Sequence, residues 1–100
     1  MPDTDADYAG EILILAGDTQ LPAQARLAGQ VEPVDGRFHW GGRLAPGREL
    51  AELVRAGRRG VRVRIGDGPA REATLGEVDP WGGVRLRGTG PPPWAAQQAD

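Results

Sequence analysis

The chain contains no cysteine, and reading along it also finds no lysine, serine or asparagine. The lack of cysteine removes disulfides, thiolate metal ligands and thiol nucleophiles together, which fits a reducing, cytoplasmic compartment. The lack of lysine and serine removes a Schiff-base amine, a serine nucleophile and a P-loop. His39 is the single histidine. A zinc site ordinarily draws several His or Cys ligands from one protomer, so no metal centre is expected; one would require oxygen ligands or the symmetry-related chains of a homodimer, an oligomeric state the sequence leaves open. No run approaches the ~18 apolar residues of a membrane-spanning helix. The opening residues, Met1–Asp7, are acidic where a signal peptide would be basic and then apolar. A cytoplasmic protein without a membrane partner is the expectation.

Every one of the twelve basic residues is arginine, a bias typical of a GC-rich coding genome. Against fourteen acidic residues they leave a net charge of −2, which gives no global attraction for nucleic acid or anionic lipid. A chain of 100 residues fits one domain with a modest core.

MPDTDAD at the start and the proline-rich, then polar GPPPWAAQQAD at the end read as loose in composition, and the folded domain is expected over 8–94 with flexible tails at 1–7 and 95–100. Between them, short β-like segments alternate with glycine turns. Tyr8–Ala16 carries the continuous apolar run Ile12-Leu13-Ile14-Leu15, as a strand covered on both faces would, and Gly17-Asp18 offers a turn. A second strand runs from about Leu21 to Val31, with Gly29 marking a bulge or bend. Asp35-Gly36 favours a type I′ hairpin turn leading directly into a third strand, Arg37–Leu44. Leu50, Leu53 and Val54 fall at helical spacing between Arg48 and Ala56, with Pro46 before and Gly57 after, so one short helix should plug or cover an end of the sheet. Beyond it, Val61–Ile65, Arg71–Val78 and Val84–Arg87 read as three more strands.

Gly29–Gly36 (GQVEPVDG) can be laid on Gly76–Gly83 (GEVDPWGG) residue for residue. The shared grammar of glycine, polar residue, valine, acid, proline, apolar residue, turn residue and glycine describes a strand stopped by proline and a tight turn launching the next strand. Two β-β-β units closing on one core give a mainly β fold, a six-stranded antiparallel barrel or barrel-like sandwich with one short helix between strands 3 and 4. A core of mostly Val, Leu and Ala leaves both a filled and a hollow barrel open.

The chemistry-bearing residues concentrate in Asp35–Arg43 (DGRFHWGGR). Strand alternation puts Arg37, His39 and Gly41 on one face, Phe38 and Trp40 on the other. In the simpler reading Phe38 and Trp40 are core, and Arg37 and His39 are solvated. In the sharper one His39 is a base whose tautomer is set by Asp35 or Asp79, Arg43 clamps an anion, and Arg37, Trp40, Asp79 and Trp81 line a ligand site. Trp81 is a rim aromatic or, by the cost of wetting its area, a cap on the core. Glu32 and Asp79 match in the repeat and could form an acid/base pair, or each could accept backbone hydrogen bonds at its turn. Arg62, Arg64, Arg85 and Arg87 could line one outer surface, but no aromatics interleave with them for base stacking and Glu72 and Glu77 intervene, so a solvated face is expected and nucleic acid is an unlikely partner. PPPW at Pro91–Trp94 is a polyproline-like segment that docks on the barrel or on a partner.

The segments PVDGRFHWGGR (Pro33–Arg43) and GEVDPWGGVRLRGTGPPPW (Gly76–Trp94), with Tyr8-Ala-Gly near the start, resemble a small uncharacterised actinobacterial domain family, found alone or fused to flavin-dependent monooxygenase-type oxidoreductases. The resemblance implies a small domain working beside or attached to such an enzyme, with no cofactor of its own. No glycine cluster follows a strand and opens a helix as a dinucleotide fingerprint must, so any flavin would sit on the partner. Three functions follow as expectations: a binding or accessory module for an oxidoreductase or a small organic ligand; an isomerase, cyclase or lyase using His39 with nearby Asp and Arg; and nucleic-acid binding through the arginine strands.

Overall fold

The computed structural model describes residues 7–94; the tail residues expected at 1–6 and 95–100 lie outside the described residues. Seven elements follow in order: β1 Tyr8–Ala16, β2 Thr19–Val31, β3 Phe38–Leu44, α1 Arg48–Arg55, β4 Gly60–Arg64, β5 Arg71–Val78 and β6 Val84–Thr89. The six strands form a closed antiparallel barrel in the cyclic order β1-β2-β3-β6-β5-β4. Exchanging the first three strands for the last three leaves every neighbour relation unchanged. The two repeat hairpins also close alike: Glu32 N–H donates to Arg37 and Asp79 N–H donates to Gly83, while each acid's carbonyl accepts from the glycine before the strand resumes. The loops differ by one residue, four after Glu32 and three after Asp79.

Period-two burial puts Ile12, Ile14 and Ala16 of β1 inside, together with Leu27, Val63, Leu75 and Leu86 from other strands. Leu13 and Leu15 point outward and are only half-buried, beside their cross-strand partners Arg64 and Arg62. The apolar run is thus screened on its outer side by flanking arginines, whose stems are apolar, rather than by a second layer. Among the described residues the buried side chains are apolar, with no charged or polar side chain inside. All six strands contribute apolar side chains to this interior, Ile14, Leu27, Leu44, Val63, Leu75 and Leu86 among them.

The two barrel ends are stoppered. At one end α1 contributes Leu50, 2 % exposed, from a helix whose Glu49 and Arg55 suit its dipole and whose exit is Gly57 at φ 90°. At the other end Trp94, 4 % exposed, meets Trp40 edge to face with ring centroids 6.0 Å apart. The Pro91–Trp94 segment therefore docks on its own barrel. Asp7, expected in the tail, is tied to β2: its N–H donates to the Leu27 carbonyl and its carboxylate accepts from Gly29 N–H at 2.9 Å.

Two local expectations are corrected. The Asp35-Gly36 turn is not type I′, because among the described residues only glycines have positive φ; Gly36 alone does so in this loop, at 69°, and the third strand starts at Phe38. Gly29 pairs in register with Trp40 and makes no bulge. Its role is space: a Cβ there would lie 2.4 Å from the Phe38 ring.

Candidate functional site

The fold distributes the sequence-nominated residues between the two ends of β3. At its start, the carboxylate of Asp35 folds back over the loop. One oxygen accepts from Arg37 N–H at 2.9 Å, and the other lies 2.9 Å from His39 Nε2. A carboxylate can only accept, so Nε2 carries the proton. With the proton on Nε2 alone, Nδ1 is an acceptor facing the Thr89 hydroxyl, 3.4 Å away on the paired strand β6. The Arg37 backbone bond, followed by the His39 bond, holds the Asp35 carboxyl below its ordinary pKa. Asp35 thus holds His39 by a hydrogen bond, and both remain accessible at the surface.

At the far end of β3 lies a second cluster. Arg43 pairs with Asp79, not with the His39 group. Arg43 is four strand positions beyond His39, a span of ~13 Å at the usual strand rise. Asp79 organises the β5–β6 turn: one carboxylate oxygen accepts from the N–H groups of Trp81 and Gly83, both at 2.9 Å, while the other meets the Arg43 guanidinium. Partial desolvation pushes the Asp79 pKa upward, but the Gly83 and Trp81 amides and Arg43 outweigh it and hold the carboxyl below its ordinary value. Asp79 is thus the turn-building acid of the simpler reading. Glu32, its counterpart, accepts from Gln30 Nε2 at 3.1 Å at the opposite end of the barrel, so the two acids form no pair.

Trp40 lies where the simpler reading put it, and Trp81 does not. Trp40 is core, its ring lying over Gly88, where a Cβ would approach within 2.2 Å of the indole. Trp81 does not cap the core; it stands 77 % exposed at the hairpin tip, matched at the other tip by Val34 at 94 %. These residues are counterparts in the repeat.

The four-arginine surface is interrupted. β5 separates β4 from β6 and sets Glu72 opposite Arg62. Register instead assembles a different row across β2, β3 and β6: Arg26, Arg43 and Arg85 are successive cross-strand partners. Sequence reading missed Arg26 here, because its position depends on a pairing between residues far apart in the chain. Beside this row is a groove of about 500 Å³ lined by Arg26, Arg43, Ala45, Pro46 and Trp81. Among the described residues no cluster of His, Asp or Glu is arranged to hold a metal ion. No helix of the described residues is long and apolar enough to cross a membrane.

Comparison with known proteins places this surface in a family context. No solved structure matches the chain. It is 31 % identical over 93 residues to the uncharacterized protein Rv0943c of Mycobacterium tuberculosis and, equally, to the uncharacterized protein Mb0968c of Mycobacterium bovis. The match takes in 93 % of this chain but 26 % of either relative, so the chain spans about a quarter of their length. Residues 5–96 match the profile of a domain of unknown function, DUF4873, and the chain belongs to that family.

Proposed function

We propose that the chain is a non-catalytic accessory module, a filled barrel that docks on a larger flavin-dependent oxidoreductase through the surface around Trp81. The exposure of Trp81 carries this reading. An indole left 77 % exposed on a disordered loop would mean little, but this tip is fixed by three bonds to the Asp79 carboxylate. Rigid Trp and Arg side chains beside a groove are the residue types that dominate interface energies. The apolar interior offers a ligand no polar side chain to orient it, and the matching stretch is a minor part of the longer relatives' length. The redox partner is proposed from the family resemblance.

The test is a tagged chain used as bait in its own cells, with the captured protein identified and its flavin content measured, followed by calorimetry on the purified pair. The expected result is a flavoprotein bound one to one, with Trp81→Ala weakening it by about thirtyfold or more, as loss of a hot-spot side chain does. Equal binding by that variant, or turnover by the purified chain alone, would refute the proposal.

One observation favours a second reading, acid/base catalysis on a small organic ligand: the Asp35–His39–Thr89 chain of contacts, with Nδ1 as base and Asp35 as its orienter. It requires that His39→Ala abolish a turnover shown by the wild-type chain.

A further inference from the structure

β5 and β6 do not pair along their whole length. Their ladder joins Thr74 to Arg87, Leu75 to Leu86 and Val78 to Val84. Below it, Arg71–Ala73 pair only with β4, and Gly88–Thr89 pair only with β3. The two strands therefore part, and the parting forms a groove of about 1070 Å³, which shares no residue with the groove at Trp81. Glu72 stands on the β5 bank and Thr89 on the β6 bank, with their cross-strand partners Arg62 and His39 behind them. Arg87 lies at the apex where the ladder begins, next to Gly41, which adds no side chain to fill the space.

The charge of this groove is opposite to that of the whole chain. Arg37, Arg62 and Arg87 line it against the carboxylate of Glu72, with Asp35 beside Arg37 and His39 at its edge, so the groove is cationic on a protein of net charge −2. Among the described residues the side chains of Arg62 and Arg87 make no ion pair. A guanidinium offers a planar fork of donors suited to phosphate oxygens, and two guanidiniums without ion-pair partners suit an anion with several of them. Trp40 lines the groove, and its buried indole N–H has no acceptor among the described residues. Buried donors are nearly always satisfied. Glu72 and the Thr89 hydroxyl add groups that recognise a ligand's own hydroxyls.

We propose that this parting is a binding site for a phosphate monoester bearing hydroxyl groups, the chemistry of a sugar phosphate. Arg62 and Arg87 take the phosphate, Arg37 supports its charge, and Glu72 accepts from the hydroxyl end. The site is independent of docking through Trp81.

The test is amide and indole NMR titration of the full chain at low ionic strength with ribose 5-phosphate, inorganic phosphate and ribose as separate probes. Ribose 5-phosphate is expected to bind saturably, shifting the Trp40 indole N–H and the Gly88 and Thr89 amides, and more tightly than inorganic phosphate. Arg87→Gln is expected to weaken it about tenfold, the loss of one charge-assisted contact, with the thermal transition unchanged because Arg87 is exposed. Glu72→Gln should reduce ribose 5-phosphate toward inorganic phosphate while leaving the latter's affinity at least as high. Non-saturable shifts, shifts mapping to the Arg26–Arg43–Arg85 row, or undiminished binding by Arg87→Gln would overturn the proposal. Equal affinity for inorganic phosphate and ribose 5-phosphate would overturn the assignment of Glu72 and with it the sugar-phosphate class.

Discussion

Replacing Trp94 with alanine removes the stopper from one end of the barrel. The side chain is 4 % exposed and meets Trp40 edge to face at 6.0 Å. A buried tryptophan withdraws ~200 Å² from water, worth ~5 kcal/mol at 25 cal/mol per Å² before discounting a compact unfolded state. Edge-to-face contact adds ~1 kcal/mol, and observed Trp→Ala losses centre on ~3–5 kcal/mol. A loss of ~4 kcal/mol is therefore expected, a large part of the ~5–15 kcal/mol that holds a domain together. Urea unfolding followed by far-ultraviolet circular dichroism measures it without relying on tryptophan emission; at a slope of ~2 kcal/mol per M the midpoint should fall by ~2 M. Trp94→Phe should recover about half of the loss, since it keeps a ring against Trp40. If the alanine variant loses less than ~1 kcal/mol, below the range for any buried aromatic, the Pro91–Trp94 segment does not belong to the core and the stopper argument fails.

Other substitutions probe separate parts of the account. Gly88→Ala sets a methyl group 2.2 Å from the Trp40 ring and should cost ~1–3 kcal/mol by overpacking, read from the same urea curves. Trp81→Ala should leave stability within ~0.5 kcal/mol of wild type, because the exposed indole supports no packing; a larger loss would mean the side chain is covered in solution. For Asp79, a folded pKa below the unfolded one means that its ionised form stabilises the fold above the unfolded value of ~3.9, and that this contribution disappears as pH falls through the folded value. Stability measured from pH 6 to pH 2 should therefore drop less steeply in Asp79→Asn than in wild type, and parallel curves would contradict a lowered Asp79 pKa.

Much of the fold was legible because short-range signals agreed with one another. Tyr8–Ala16 and Arg71–Val78 were bounded by turn residues and carried period-two or continuous apolar patterns, and both strands run between those limits. The repeat placed Glu32 and Asp79 at equivalent hairpin closures, since an acid followed by proline ends a ladder in both halves. The Asp35–His39 bond was readable for a local reason, the loop returning the chain to within four residues of the carboxylate. Arg43 with Asp79 was not, because their meeting depends on β3 pairing with β6 across 36 positions of sequence. The same holds for the Arg26–Arg43–Arg85 row and for the groove where β5 and β6 part, which exist only in the register between strands. Trp81 was misplaced by treating its area as something to be hidden; the three bonds to Asp79 fix the tip regardless, and the ring faces water.

The proposal that the barrel acts from its outer surface requires a filled interior, and diffraction from a crystal pressurised with xenon tests this most directly. Xenon enters dry apolar cavities, including those of ~150 Å³ lined by aliphatic side chains. The expected map has no xenon among Ile14, Leu27, Leu75 and Leu86, which are fully buried on four different strands. Strong xenon density there would show an internal chamber and return the search for a ligand to the inside of the barrel.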